Sequence, residues 1–472
     1  FREAESIYRG LSNFEGVAEV QYQSAVLANR LGKLREARAL LDQALAMSRQ
    51  IGSVSQEIQV LIQLSNVDQH LNDMAQAESD ATRAVDLART NGLETLTMRG
   101  LVDLGSAYFV RGEIEEARKH YTQSLDYARR YHAERAEARA LLSLGSLEVQ
   151  HGEIDAGLPH VRQALAWYEK HSYPKESIQA LTLIARGQRQ KGDYAGALDA
   201  FQQQLEISRQ LGLEPQVSQA QQGIGSVLLA QGRWPDALAA YRDEYDAARH
   251  AGAEFNLQYS EMDMAAVLWR LGRYREAEEF LGRIGAKTSK AVAADVDRIR
   301  AEMALSRRQF ATAVARCRSI LLESGLGPDL LVETNLALGR ALIASGARAD
   351  GAAAIAQAAS VAAGSGNPRL VAEAALAQAE ALLASGDSAR SGENALAAQQ
   401  FFSKAGNPER EWHCWLAASR ASGSRDHAAR AADAIAQLRQ RWDPENYSSY
   451  ASRPDIQSDR ALLQKLLGRR LD

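Results

Sequence analysis

The sequence predicts an all-α solenoid of about eleven helix-turn-helix repeats, closed by a C-terminal capping helix. Three observations support this fold class. A short turn motif returns at a fixed step of 40 residues over its first seven copies, a small residue stands seven positions before each of the first ten turns, and aromatic residues make up only 6% of the chain. Because small side chains let helices approach closely, this composition favours thin helical layers over one thick core.

The turn motif has the form Gly-x-hydrophobic-x-x-Ala. Six successive steps of 40 residues separate its first seven copies, and the later copies follow at steps of 36, 38, 40 and 37 residues. The copies begin at Gly32, Asn72, Gly112, Gly152, Gly192, Gly232, Gly272, Arg308, Gly346, Gly386 and Gly423. Each step has room for one helix before the turn and one after it.

The third repeat shows how one unit is built. Apolar residues recur at helical spacing before Gly112 and again from Ile114 to Ala128. Gly112 stands where the first helix ends, a position that often takes the left-handed conformation, and Asn72 is the next best residue there. The small residues that precede the turns predict close helix contacts; they are Ala25, Ser65, Gly105, Gly145, Ala185, Gly225, Ala265, Ala301, Gly339 and Ala379.

Prolines mark the ends of the predicted helices. Five of them fall between one repeat and the next, at Pro174, Pro215, Pro328, Pro368 and Pro408. Pro159 is different because it lies, with Gly157, inside the second helix of the fourth repeat. We expect a kink or a delayed helix start at that place.

This array resembles the tetratricopeptide repeat (TPR) family, in the 40-residue form of kinesin light chains, Pins-type adaptors and many bacterial regulators. The resemblance implies a right-handed superhelix whose first helices line a concave channel. The expected divisions are the end of a preceding repeat's second helix (1–12), a regular array (13–330), a degenerate Ala-rich array (331–440) and a C-terminal cap (441–472). The cap is expected to be a closing helix with an aromatic-rich loop that covers the last apolar face.

Whole phrases of the sequence also resemble the repeat regions attached to serine/threonine protein kinases of acidobacterial type. They are "NFEGVAEVQYQSAVLANRLGKLREARALLDQAL", "EARALLSLGSLEVQHGE" and "RWDPENYSSYASRPDIQSDRALLQKLL". The resemblance implies a sensor or docking module of a larger bacterial signalling protein. The chain begins with Phe1 rather than Met, and we expect it to be part of such a protein, although no kinase motif occurs in this segment.

Composition and motifs exclude several function classes. A net charge of -4 gives no basic field for nucleic acid or an anionic membrane. The nine histidines do not stand at metal-ligand spacing, and no phosphate loop or nucleophile elbow occurs. We therefore predict no catalytic residue, no metal and no cofactor, and expect Cys317 and Cys414 to be buried small residues. The expected compartment is the cytoplasm, with the outer side of a membrane-anchored kinase as the alternative.

Candidate ligand-binding residues follow from the family's groove positions. Each first helix is aligned on its small residue. The residues six and three positions before that small residue, and one and four positions after it, would then face the groove. Repeats three to five then offer a positive stripe of Arg99, Arg139, Arg186 and Arg189, with Phe109 nearby. Because arginine binds carboxylates bidentately, we expect an acidic peptide segment to dock there. The alternative is an ordinary solvated helix face of mixed charge.

The later repeats offer different groove residues. Repeats six and seven would present Gln219, Gln222, Tyr259, Met262 and Trp269, a patch suited to an apolar anchor. Trp269 fits a buried position between repeats equally well. Repeats eight to ten would present an acidic stripe, partly offset by two arginines; these residues are Asp295, Glu302, Glu333, Glu373 and Glu380, with Arg298 and Arg340.

Three function classes compete for this sequence. A non-catalytic scaffold or regulatory module that binds a protein or peptide suits a repeat array with a large inner surface. The alternative is a small-molecule sensor of a bacterial regulator, which an enclosed aromatic pocket near Tyr259 and Trp269 would favour. An enzyme or a nucleic-acid binder is disfavoured by the missing motifs and the charge balance.

Overall fold

The computed structural model describes the chain except residues 251, 253, 286, 287 and 472 and the side chains of 254–256. It confirms the all-α solenoid: the described residues form 25 helices and no strand. Residues 1–183 form one compact unit, here unit 1, and residues 184–472 form a second, here unit 2.

The helices alternate as first and second members of eleven pairs. The first helices are α2 (Phe14–Arg30), α4 (Val54–His70), α6 (Glu94–Val110), α8 (Glu134–Gln150), α10 (Pro174–Gln190), α12 (Glu214–Ala230), α14 (Glu254–Arg270), α16 (Lys290–Ser306), α18 (Pro328–Ala344), α20 (Pro368–Ser385) and α22 (Pro408–Ser422). The second helices are α3 (Leu34–Gln50), α5 (Met74–Thr90), α7 (Ile114–Arg130), α9 (Ile154–Lys170), α11 (Tyr194–Gln210), α13 (Trp234–His250), α15 (Tyr274–Arg283), α17 (Phe310–Leu321), α19 (Arg348–Gly364), α21 (Ser388–Ala405) and α23 (Arg425–Arg441). The pairs are preceded by α1 (Arg2–Gly10) and followed by α24 (Pro444–Ala451) and α25 (Pro454–Leu467).

The turns adopt the predicted left-handed conformation. Gly112 has φ +80° and Asn72 has φ +63°. The turns between repeats do the same, at Gly52, Gly92 and Gly212 among others. In the regular part of the array, a left-handed residue therefore recurs about every 20 residues. It occurs in the turn inside each helix pair and also in the turn between one pair and the next.

Close contacts between paired helices occur where the small residues predict them. A Cβ atom on Gly145 of α8 would lie 2.9 Å from the carbonyl oxygen of Gly157 on α9, and the reverse distance is also 2.9 Å. In the Ala-rich part of the chain, Gly339 and Gly351 show the same mutual contact at 2.8 and 2.7 Å. Any side chain at these positions would push the two helices apart.

Pro159 does not delay its helix. Helix α9 begins at Ile154, in the same register as the other second helices, and runs through Pro159 to Lys170. Of the kink or delayed start expected from the sequence, the delayed start does not occur. Gly157 is needed for the contact with α8 rather than as a helix breaker. Pro328, Pro368 and Pro408 each open their helix, where a missing N–H is harmless.

The first helices form the inner layer of each unit. In unit 1, α2, α4, α6 and α8 contact one another in sequence, and in unit 2 the same holds from α14 to α22. Among the described residues, the second helices show no comparable contacts with one another. A curved two-layer array brings the helices of its concave side closer together, so the first helices from α2 to α8 and from α14 to α22 line that side of their unit.

Within unit 2 the turns of repeats five to seven contact the C-terminal part of the chain. A Cβ atom on Gly192 would lie 3.0 Å from the ring of Phe401. The Asn407 side-chain amide donates a hydrogen bond of 2.8 Å to the Ala230 carbonyl beside the next turn. The Arg453 guanidinium likewise donates to the Arg270 carbonyl at 2.6 Å.

The C-terminal segment consists of two helices rather than one helix and a loop. Trp442 and Tyr450 are buried and pack on Trp234. The centroids of these three rings lie 5.2–5.7 Å from one another. The Trp412 indole donates a 2.9 Å hydrogen bond to the Tyr450 hydroxyl. The segment therefore packs on the sixth repeat as well as on the last helix pair. This contact depends on the tertiary structure, because the turn of repeat six lies beside the C-terminal segment.

The two cysteines are buried, as predicted: Cys317 and Cys414 are free thiols with no exposed surface. Burial raises the pKa of both thiols, that of Cys317 to about 12. In the described part of the chain, no helix has both the length and the hydropathy required to cross a bilayer.

The left-handed turns allow a stability prediction. His132 is exposed and has φ +53°, where a residue with a Cβ is strained. We expect His132→Gly to raise the free energy of unfolding by about 0.5–1 kcal/mol, because relief of strain exceeds the added freedom of the unfolded chain. Urea unfolding followed by circular dichroism measures the change.

Gly92→Ala is the matched control, because Gly92 holds the corresponding turn of the preceding repeat with φ +63° and open space where alanine would place its Cβ. It should lose about 1 kcal/mol. Equal changes of the same sign in both variants would contradict the assignment of strain.

Candidate ligand-binding surface

The inner layer of unit 1 places two of the predicted arginines around one aspartate. Asp103 on α6 is 9% exposed. Its carboxylate accepts a 2.7 Å hydrogen bond from Arg139 of α8, and Arg99, one helical turn away, lies at 3.9 Å. Burial raises the pKa of Asp103, and the two arginines oppose that shift. These arginines are therefore partly neutralised within the fold.

Phe109 lies near the end of the same helix and is half-buried. Ser106, one turn earlier, donates a hydrogen bond of 2.9 Å to the Val102 carbonyl and contacts the Tyr121 hydroxyl at 3.2 Å. The inner layer around Arg99 and Arg139 is thus polar and only partly open to solvent.

Arg186 and Arg189 lie one turn apart on the part of α10 that belongs to unit 2. Both residues are exposed, and neither has a carboxylate partner among the described residues. Burial of part of the side chain and the positive charge of Arg189 lower the pKa of Arg186. The structure brings these two arginines together without a counter-charge.

Repeats six and seven place their predicted residues in polar contacts. The Gln219 side-chain oxygen accepts a hydrogen bond from Gln204 at 3.3 Å, and the Gln222 amide donates to Asp263 at 3.4 Å. Tyr259 and Met262 are half-buried on α14.

Trp269 is buried rather than open to a ligand. The residue is 8% exposed, and the guanidinium carbons of Arg270 and Arg453 lie 4.6 and 5.2 Å from its ring centroid. The sequence left open a buried position for this tryptophan, and the structure places it there. It therefore presents no free face for the predicted apolar anchor or for an aromatic pocket shared with Tyr259.

The acidic residues of repeats eight to ten are paired with arginines. Arg298 contacts Asp295, Glu302 and Glu333 at 3.1–3.2 Å. Arg340 contacts Glu380 at 2.7 Å. An open acidic stripe is thus absent from these described residues, because the carboxylates belong to an ion-pair network.

Three arginines of this network were missed in the sequence. Arg369 contacts Glu333 at 3.0 Å, Arg410 contacts Glu373 at 2.8 Å, and Arg270 lies 3.5 Å from Glu302. Arg369 stands in the first turn of α20, outside the four groove positions considered for that helix, and Arg410 stands on α22, whose repeat has no small residue seven positions before its turn to align on. Their signal was a cationic residue one or two positions after the helix-opening proline.

Two buried glutamates in unit 2 have opposite surroundings. Glu244 on α13 and Glu409 on α22 are each 2% exposed. Burial and the nearby negative charge of Asp263 raise the pKa of Glu244 to about 9, against one hydrogen bond from the Ser260 hydroxyl. Burial also favours neutral Glu409, but Arg410 and His413 outweigh it and lower the pKa to about 2.

Metal binding has no support in the described residues, where His, Cys, Asp and Glu side chains nowhere form a group of three suited to an ion. The polar groups of the surface described above are arginine guanidinium groups, amides and hydroxyls. Such groups recognise a ligand by hydrogen bonds and charge.

Several solved structures are similar to this chain, including the following three. Aspartyl phosphate phosphatase F from Bacillus subtilis has a TM-score of 0.50 at 11% identity, over 73% of this chain and 93% of that one. The apo quorum sensor NprR from B. thuringiensis has a TM-score of 0.48 at 11% identity, over 81% and 98%. Yeast Tom70 has a TM-score of 0.40 at 12% identity, over 93% and 99%.

No curated protein matches the sequence. Residues 16–288, more than half of the chain, match the family described as the MalT-like TPR region. This matched range contains the repeats with the regular 40-residue step. The chain belongs to the MalT-like TPR family.

Proposed function

We propose that this chain is a non-catalytic regulatory module that binds a peptide or an extended protein segment on its inner layer of first helices. The observation that supports this most directly is the chemistry of that layer. Its half-exposed positions include arginines, amides and hydroxyls together with Phe109, Tyr259 and Met262, while most other apolar residues of the same helices are buried. An extended peptide has a polar backbone that such side chains can hydrogen-bond along its length.

The same proposal includes the setting of the module. The phrases shared with kinase-attached repeat regions favour a place in a bacterial signalling protein such as a serine/threonine kinase, on the cytoplasmic side. A peptide that spans several repeats would stiffen them and alter the spacing of whatever is attached at the ends. The burial of Trp269 counts against the alternative of a small-molecule sensor with an aromatic pocket at this tryptophan.

Site-specific photocrosslinking tests the binding surface. A photoreactive phenylalanine analogue replaces Ser146 on α8, a half-buried inner position, and the protein selects peptides from a library of unstructured 12-residue sequences. The matched control carries the analogue at Gln163, an exposed position on the second helix α9. We expect the selected peptides to crosslink from position 146 and not from position 163.

Crosslinking from position 163 alone would contradict the inner-layer assignment. Failure to enrich any peptide would contradict the proposed function itself. Circular dichroism of both variants shows whether the fold is retained.

A further inference from the structure

The arginines on the first helices of unit 2 differ in their partners. Six of them form ion pairs with carboxylates, and their side chains are 11–28% exposed: Arg270, Arg298, Arg300, Arg340, Arg369 and Arg410. Arg186 and Arg189 form no ion pair within the described residues. Arg420 near the end of α22 also lacks an ion pair within the described residues, so what sets Arg186 and Arg189 apart is that two unpaired arginines stand three residues apart on one helix.

The placement of Arg186 and Arg189 is unfavourable in the free protein. Residues three apart on a helix are neighbours on one face, and like charges at that spacing destabilise the helix. The Arg186 charge is also partly desolvated, as the lowered pKa of this guanidinium indicates. A bound anion would offset both costs.

The contrast with unit 1 is informative, because Asp103 already occupies Arg99 and Arg139 there. The acidic segment expected from the sequence therefore finds its open arginines at 186 and 189.

We propose that Arg186 and Arg189 form the anion-binding site of this module and hold an oxyanion of the bound peptide, a side-chain carboxylate or a phosphate group. This inference rests on the proposed function. Two guanidinium forks on adjacent turns match the paired oxygens of either group, and their charge-assisted hydrogen bonds are stronger than neutral ones.

Fluorescence anisotropy with three labelled octapeptides at constant ionic strength tests the site. The probes are octaglutamate, octaglutamine and an octaglutamine that carries two adjacent phosphoserines. We expect octaglutamate or the phosphopeptide to bind and octaglutamine not to bind. In Arg186→Gln/Arg189→Gln the affinity for the anionic probe should fall at least tenfold.

Two further variants separate charge, geometry and fold. Arg209→Gln removes an exposed arginine from the second helix α11 and should leave the affinity unchanged. Arg186→Lys/Arg189→Lys keeps the charge but loses the planar forks, and should weaken binding by a few fold. Tighter binding of the phosphopeptide than of octaglutamate would assign the site to phosphate.

Equal affinity of the wild-type protein and Arg186→Gln/Arg189→Gln would overturn this proposal, as would the absence of binding to both anionic probes. Neither result bears on the crosslinking selection, which uses a library of mixed sequences and a reporter on α8. Failure of the anion site and failure of the proposed function are therefore distinguishable.

Discussion

Gly272→Ala is expected to lower the free energy of unfolding of unit 2 by about 3–5 kcal/mol, or to detach its C-terminal helices. Two costs combine at this turn. Gly272 has φ +82°, where alanine is strained by about 1–2 kcal/mol. A Cβ atom there would also overlap the backbone carbonyl of Ser449 at the end of α24, and backbone cannot rotate away as a flexible side chain can.

Hydrogen exchange and urea unfolding measure the two outcomes. Loss of protection confined to α24 and α25 would show local detachment, which a repeat array permits because each part contacts few others. Gly386→Ala is the matched control: Gly386 turns the tenth repeat of the same unit with φ +89°, and no other group lies within 4 Å of the place that an alanine Cβ would take. It should lose about 1–2 kcal/mol. Equal losses in the two variants would show that the contact with Ser449 contributes nothing.

The repeat architecture was predictable because each element repeats a local rule. The residues at the turn, at the close helix contact and on the apolar faces recur at fixed positions, so seven copies reinforce one another. Glycines also mark left-handed turns between repeats, at Gly52, Gly92 and Gly212, although these turns lie outside the 40-residue series of the turn motif.

Contacts between distant repeats could not be predicted in this way. Nothing local distinguishes Gly272, which touches Ser449, from Gly386, which touches nothing, because both end a first helix in the same manner. The burial of Trp269 beneath Arg453 has the same origin. Such contacts depend on how tightly unit 2 curves, which is the sum of small rotations between repeats.

The candidate site was predictable as a surface but not in its charge balance. Alignment on the small residues identified the arginines and acids of the inner layer. It did not show which residues were paired, because the partner Arg369 lies outside the aligned positions and the partner Arg410 lies in a repeat that has no small residue to align on. Of the ten predicted binding residues, only Trp269 is buried. For the other nine, a role in binding stays a prediction; they are Arg99, Phe109, Arg139, Arg186, Arg189, Gln219, Gln222, Tyr259 and Met262.

The second large effect is expected from Glu244, whose carboxyl is buried without a cationic partner among the described residues. Its folded pKa of about 9 lies above the ordinary value of 4.5. Between these values the folded state holds a proton that the unfolded state has released. Glu244 therefore contributes stability below about pH 4.5 that is lost as the pH rises towards 9, by about 1.4 kcal/mol per pH unit.

Glu244→Gln should remove this dependence. We expect the variant to match the wild-type protein near pH 5 and to exceed its free energy of unfolding by about 2–4 kcal/mol at pH 8, the lower figure allowing for the buried amide group. Urea unfolding at half-unit steps from pH 5 to 9 measures the slope for both proteins.

Glu409→Gln is the control of opposite sign, because Glu409 has the same 2% exposure but contacts Arg410 and His413. Its folded pKa of about 2 lies below 4.5, so its contribution is present above pH 4.5 and is lost as the pH falls towards 2. The variant removes the carboxylate that contacts Arg410 and His413 and should be less stable by about 3 kcal/mol at pH 7. If both glutamine variants shifted stability in the same direction at pH 8, burial alone would govern these carboxyls, and the contrast between a partnered and an unpartnered charge would be lost.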